Sequence, residues 1–209
     1  IDTGFNRPEC EEAIRTGLAE LEIDINNSDL YLTHLHSDHV GLAASIMPKD
    51  ATIYMGRVDY DYLMTSVTGS HWEDTDKAFL SHGFPQDKII ELHTKNPARA
   101  FQVAGTFEAV KLEDGDKFNV GDYEFKCIYV PGHTPGNTCL YYEKANLMFL
   151  GDHVLFDITP NITAWFGVKD SLSSYIDSLK KIREYKMVTA LPAHTNTKGI
   201  NVYDRIDQL

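Results

Sequence analysis

The sequence lacks any run of about eighteen apolar residues, the length that a membrane-spanning helix needs. It has only 14 glycines and 8 prolines, and it shows no internal repeat or low-complexity stretch. With 43% hydrophobic residues, the chain can bury a core, and 209 residues suit one domain. Membrane spans, collagen, coiled coils and disordered chains are therefore excluded.

Cysteine is scarce, and its pattern excludes a disulfide framework. Cys10, Cys127 and Cys139 form no CxxC pair, and an odd number of cysteines cannot all pair within one chain. This usage is typical of a reducing compartment. The sequence therefore predicts a cytoplasmic protein.

Positively charged residues are also in deficit. The chain has 19 Lys and Arg against 31 Asp and Glu, which gives a formal net charge of −12. Nucleic acids and anionic membranes are held mainly through Lys and Arg contacts to phosphate. The charge therefore disfavours both partners and favours a small-molecule substrate. Self-association into a homo-oligomer stays open.

Hydrophobic periodicity predicts a layered α/β protein, with helices enclosing a β-rich body. Helices are expected over residues 8–21, with an apolar face against a sheet, and over residues 171–185. Residues 56–106 are aromatic and polar without strand alternation, which predicts a helical cap on a single domain spanning residues 1–209. The predicted strands are residues 30–33, 51–55, 123–130, 147–150 and 187–191.

Histidine, by contrast, is frequent and clustered. Residues 33–39 read Thr-His-Leu-His-Ser-Asp-His at the end of a predicted strand. Residues two apart in an extended chain point the same way, so His34 and His36 can present two imidazoles to one metal ion. Asp38 and His39 lie just past the strand, where a tight turn can aim them at a second ion. This spacing is a strong metal-site pattern.

Three further candidate ligands follow strands elsewhere in the chain. His133 lies in a Pro-Gly-His-Thr-Pro-Gly turn, Asp152 follows the apolar strand at 147–150, and His194 follows the last strand. Loops gather at strand ends, where a rigid sheet fixes side-chain direction. Imidazole and carboxylate donors without thiolate suit Zn²⁺, and Fe or Mn would also accept them.

These residues, in this order, resemble the metallo-β-lactamase superfamily, and Asp2 in Ile-Asp-Thr-Gly looks like its first conserved Asp. The resemblance implies an αββα sandwich, in which helices flank two mixed β-sheets, with a dinuclear metal site at one edge. It assigns His34, His36 and His133 to the first ion, Asp38, His39 and His194 to the second, and Asp152 as the bridge. Superfamily members usually have strands before Ile-Asp-Thr-Gly and helices after the last His, so we expect natural extensions at both ends.

The resemblance also implies a reaction. Two ions roughly 3.5–4 Å apart can share a hydroxide that acts as nucleophile. The resemblance therefore implies a metal-dependent hydrolase that cleaves an ester, thioester or lactone-type bond. Its metal motif is similar to that of glyoxalase II. Asp38 would be both ligand and catalytic acceptor, because it can orient that hydroxide or pass its proton to the leaving group.

Two alternatives stay open. Persulfide dioxygenases of the same superfamily bind one iron through residues matching His34, His133 and Asp152, and the motif does not separate them from hydrolases. A phosphodiesterase or ribonuclease is disfavoured by the acidic charge and the lack of an RNA-binding arm. The leaving group is not encoded in the motifs. Residues 60–72 and 157–166 are predicted to line the substrate pocket.

Overall fold

The computed structural model describes residues 1–69, 71–165 and 167–209. The chain divides into two compact units, the first formed by Ile1–Tyr54 with Tyr60–Val110 and the second by Met55–Asp59 with Lys111–Leu209. The assignment of residues 1–209 to a single domain stays a prediction. None of the helices within the described ranges combines the length and the hydropathy needed to cross a bilayer.

Among the described residues, four helices follow one another in the middle of the chain, and five strands come after them. The described helices are α1 (Pro8–Glu20), α2 (Ser37–Val40), α3 (Ala43–Ile46), α4 (Arg57–Thr68), α5 (His71–Ser81), α6 (Gln86–Lys95), α7 (Pro97–Ala100), α8 (Ser171–Arg183) and α9 (Val202–Gln208). The described strands are β1 (Leu30–Leu32), β2 (Ile53–Gly56), β3 (Val110–Leu112), β4 (Lys117–Val120), β5 (Tyr123–Tyr129), β6 (Thr138–Tyr142), β7 (Leu147–Gly151) and β8 (Thr189–Pro192). The helical character predicted for residues 56–106 is confirmed by α4 to α7.

The strands form two sheets. One has three strands in the order β1-β2-β3, and the other has five in the order β4-β5-β6-β7-β8. Strands β4 to β7 pair antiparallel, whereas β8 pairs parallel to β7, so the larger sheet is mixed as expected. A parallel pair needs a crossover connection, and α8 supplies it between β7 and β8.

The core of the second unit lies between the larger sheet and the helices α8 and α9. Alternate residues of β5 to β7 point into it, among them Ile128 and Leu150, and α8 adds Ile182; all three are fully buried. Cys139 belongs to the same cluster, and burial raises the pKa of its thiol. None of the three cysteines forms a disulfide, so Cys139 packs as a small apolar residue.

Helix α1 forms where the sequence predicts it, but its packing differs from the expectation. Pro8 stands at its start, and Glu9 and Glu11 lie in the first turn, where acidic residues favour a helix. No residue of α1 is buried, and Leu21, which follows it, is 71% exposed. The expected burial of its apolar face against a sheet was therefore wrong, because apolar spacing specifies an amphipathic helix without specifying a partner.

Two isoleucines on α8 test this packing. Ile182→Ala should lower the free energy of unfolding by about 2–5 kcal/mol, because it leaves a cavity in a fully buried position. Ile176→Ala is the matched control: Ile176 is 42% exposed, so its loss should be below about 1 kcal/mol. Urea unfolding monitored by circular dichroism measures both. Equal losses for the two variants would contradict the packing of α8.

Candidate metal centre

The first four candidate ligands lie where β1 passes into α2, within the first unit. His36 is in extended conformation and precedes the helix, which starts at Ser37. Asp38 and His39 are inside α2. The tight turn predicted for these two residues is instead a single turn of α-helix, in which side chains rotate by about 100° per residue. The helical turn gives Asp38 and His39 different directions.

His34 and His36 face each other through defined nitrogens. His34 Nε2 lies 3.1 Å from His36 Nδ1. The other ring nitrogen, His34 Nδ1, lies 3.0 Å from Thr33 Oγ1. That hydroxyl donates its single proton to Asp2 Oδ2 at 2.9 Å, so it accepts a proton from His34 Nδ1. In the neutral ring, Nε2 of His34 therefore carries the lone pair that a metal ion requires.

Asp2 orients His39 in the same way. His39 Nδ1 donates to Asp2 Oδ2 at 2.8 Å, and the backbone N–H of Thr33 donates to Asp2 Oδ1 at 2.9 Å. His39 is 2% exposed. Since a carboxylate can only accept, the proton of the neutral ring is on Nδ1 and the lone pair is on Nε2. His39 Nε2 in turn lies 3.7 Å from Asp38 Oδ2.

Neighbouring segments of the first unit hold α2 in place. Thr3 donates its backbone N–H and its hydroxyl to the carbonyl of His39, at 2.7 and 2.8 Å. Ser37 Oγ donates to the carbonyl of Ala98 in α7 at 2.9 Å. Gly41 packs so closely that a Cβ there would lie 2.4 Å from the backbone nitrogen of Asn6. The helix that carries Asp38 and His39 is thus bound on several sides.

The other three candidates converge within the second unit. Asp152 lies directly after β7, and each of its carboxylate oxygens faces one imidazole: Oδ2 is 3.5 Å from His133 Nε2, and Oδ1 is 3.4 Å from His194 Nε2. Asp152 and His133 are buried, and the side chain of His194 is 37% exposed. One carboxylate is therefore shared between two imidazoles, the arrangement expected of a bridging ligand.

The loop that follows β7 orients His133. His133 Nδ1 donates to the carbonyl of Asn161 at 2.7 Å, so Nε2 is again the nitrogen with the lone pair. Trp165 Nε1 donates to the carbonyl of His133 at 3.1 Å. The two contacts orient His133, a candidate ligand, whereas the pocket-lining role expected of this loop stays a prediction. Ser70 and Phe166, which belong to the predicted pocket segments, lie outside the described residues.

His153, next to Asp152, has a different character. It is fully buried and packs edge-on against Tyr175, with ring centroids 5.2 Å apart. Burial away from water lowers the pKa of His153 to about 3. His153 is therefore neutral at physiological pH, and the donor groupings among the described residues do not include it.

The donor spacing fits divalent metal ions. Two ligands at about 2.0–2.1 Å from a tetrahedral ion lie about 3.3 Å apart. The pairs His34–His36, His133–Asp152 and His194–Asp152 are separated by 3.1, 3.5 and 3.4 Å. Three of the imidazoles also hold their second nitrogen in a hydrogen bond, as metal-ligating histidines do. Within each unit, the donors are thus spaced to share an ion.

A family comparison decides the classification. Residues 1–194 match the family described as the metallo-beta-lactamase superfamily. The chain belongs to the metallo-β-lactamase superfamily. The match covers all seven candidate ligands and Asp2, which the resemblance in the sequence had indicated.

Several curated proteins are similar in sequence. An uncharacterized protein of Aquifex aeolicus is 51% identical over 153 residues, which are 73% of this chain and 57% of the relative. An atrochrysone carboxyl ACP thioesterase of Emericella nidulans is 25% identical over 93% of this chain and 46% of the relative. The human acyl-coenzyme A thioesterase MBLAC2 is 30% identical over 49% of this chain and 37% of the relative. The chain spans about half the length of the curated relatives it matches.

Solved structures confirm the metallo-β-lactamase fold. A metallo-beta-lactamase family protein of Thermus thermophilus superposes with a TM-score of 0.77 at 22% identity, over 99% of this chain and 67% of that chain. A beta-lactamase domain protein of Burkholderia ambifaria gives 0.75 at 21% identity, over 99% and 62%. At these identities the likeness shows the fold alone, and the predicted α/β architecture with two sheets and flanking helices is confirmed.

Thr33 and Asn161, which orient candidate ligands, were not predicted from the sequence. Thr33 could have been found, because it directly precedes His34 and a hydroxyl is a common partner of a ligating imidazole. Asn161 acts through its main-chain carbonyl, a group that every residue has. No side-chain pattern could therefore have pointed to it.

Asp2 provides a test of ligand orientation. Asp2→Ala removes the acceptor of His39 Nδ1 and should weaken metal binding by about 10–100-fold, as loss of such partners typically does. Asp50→Ala is the control, because Asp50 is an exposed carboxylate. Competition with a chromophoric chelator measures the affinity. Equal affinities for Asp2→Ala and Asp50→Ala would contradict the orienting role of Asp2.

Proposed function

We propose that this chain is a metal-dependent hydrolase of a small-molecule thioester or a related ester or lactone. The seven donors hold two divalent ions, with zinc as the preferred metal and iron or manganese as alternatives. The ligand assignment is the one that the superfamily resemblance implies, with Asp152 as the bridge.

The observation that carries this proposal is the position of the Asp152 carboxylate. Its two oxygens face two different imidazoles at nearly equal distances, 3.5 and 3.4 Å. An imidazole at each oxygen places a nitrogen ligand on either side of the carboxylate. This geometry supports two ions that share one carboxylate, as in dinuclear hydrolase sites.

The names of the relatives support a thioester among the acyl bonds. The matched proteins of Emericella nidulans and Homo sapiens are both named thioesterases, one for an acyl carrier protein substrate and one for acyl-coenzyme A. A small-molecule thioester also agrees with the acidic chain, which disfavours polynucleotide substrates.

The chain's own residues have distinct tasks in this reaction. Bound divalent ions would supply a water of lowered pKa and would stabilise the negative charge that develops on the carbonyl oxygen. Asp38, whose side chain is 31% exposed, can accept the proton of the attacking water and return it to the departing thiolate. The water oxygen then bonds to the carbonyl carbon as the carbon–sulfur bond breaks.

Metal analysis tests the dinuclear assignment. Purified protein should contain about two zinc ions per chain and hydrolyse members of a panel of thioesters, lactones and phosphodiesters, with His36→Ala as the inactive control. One iron per chain, together with oxygen uptake on a persulfide, would contradict the proposal and identify a dioxygenase. Turnover of phosphodiesters alone would make the protein a phosphodiesterase.

Asp38 can be tested separately. Asp38→Ala should lower kcat for the best thioester by about 10²–10⁴-fold, since it removes the proton acceptor. Steady-state kinetics and metal content are measured together, with Asp50→Ala as the control. A variant that keeps two metal ions and the native rate would rule out the catalytic role of Asp38.

A further inference from the structure

A buried carboxylate outside the ligand set contacts the turn that carries His133. Asp59 lies near the start of α4 and is fully buried. It belongs, with the turn, to the second unit. Its Oδ2 accepts a hydrogen bond from Thr134 Oγ1 and its Oδ1 accepts one from the backbone N–H of Gly136, both at 2.6 Å. Both distances are short for hydrogen bonds to oxygen.

The backbone on either side of His133 is closely packed. A Cβ at Gly136 would lie 2.4 Å from the backbone nitrogen of Asp59, and a Cβ at Gly132 would lie 2.4 Å from the Cβ of Tyr175 in α8. The N–H of Gly132 also donates to the carbonyl of Thr134 at 3.0 Å, which closes the turn around His133. The turn is therefore held by α8 before His133 and by Asp59 after it.

We propose that Asp59 is a positioning residue that fixes the direction of His133 by holding Thr134 and Gly136 with one carboxylate. This role rests on the proposed metal centre, in which His133 is a ligand. The chemistry requires a carboxylate, because two donors approach its two different oxygens. An amide offers only one acceptor oxygen, and its NH₂ group would face a donor.

The test compares four variants. Asp59→Asn removes one acceptor, Thr134→Val removes one donor while leaving the carboxylate in place, and Thr134→Ser keeps the hydroxyl. Asp122→Asn is the control, because Asp122 is an exposed carboxylate in the same unit. Zn²⁺ affinity and stoichiometry are measured by chelator competition. Amide hydrogen exchange of Gly136 is measured on metal-free protein.

Asp59→Asn should bind one of the two ions about 10–100-fold more weakly and exchange the Gly136 amide faster. Thr134→Val should show a smaller loss of affinity, whereas Thr134→Ser and Asp122→Asn should match the wild type. If Asp59→Asn does not fold, Thr134→Val and its rescue by serine decide the question.

The proposal and the function it rests on fail differently. Native affinity for both ions in a folded Asp59→Asn protein overturns the positioning role and leaves the hydrolase proposal intact. A wild type that binds two ions but cleaves no thioester, ester or lactone overturns the hydrolase, while the affinities of the variants still decide the role of Asp59. A wild type that binds no divalent ion overturns both.

Discussion

This candidate centre depends on one kind of contact. It is the hydrogen bond at the second nitrogen of an imidazole, the one that does not face a metal ion. An imidazole offers its lone pair to an ion only when the ring proton is on the other nitrogen, and an acceptor there fixes both tautomer and ring direction. Three chemically different acceptors do this here: the Thr33 hydroxyl for His34, the Asp2 carboxylate for His39 and the Asn161 carbonyl for His133. Each acceptor restricts the rotation of its imidazole ring beforehand, so the ring loses less conformational entropy on binding metal.

This requirement shapes the chain over long sequence distances. Asp2 and His39 are 37 positions apart, and His133 and Asn161 are 28 apart. Strand ends and the helical turn α2 carry the candidate donors, and the acceptors come from the adjacent Thr33 and from distant segments of the same unit. The segment of residues 2–6 therefore binds α2, and the loop after β7 returns to the turn after β5. These hydrogen bonds hold the candidate ligands through irregular segments of the chain.

The candidate donors stand out in the sequence, and the groups that hold them mostly do not. His, Asp and Gly at strand ends form a pattern that periodicity places correctly, since strand positions depend on local residue choice. Asn161 acts through the backbone, and Asp59 is one of 31 acidic residues with no motif around it. Asp38 and His39 also show the limit of local reading, because the expected turn is a turn of α-helix whose Ser37 is hydrogen-bonded to the carbonyl of Ala98. Such long-range contacts are not visible in a local pattern.

The buried carboxylates change what the net charge implies about the molecules that can approach the protein. A charge of −12 counts every carboxylate as if it faced solvent. Asp59 is fully buried and the Asp2 side chain is 14% exposed, and both accept the hydrogen bonds named above. Asp152 is 6% exposed and lies beside the imidazoles of His133 and His194. Their charges act on neighbouring imidazoles, hydroxyls and amides rather than on approaching molecules. Bound divalent ions would make the field at the candidate centre more positive. An acidic net charge is therefore compatible with an anionic small molecule at the candidate centre, although it still disfavours a polynucleotide that needs an extended basic surface.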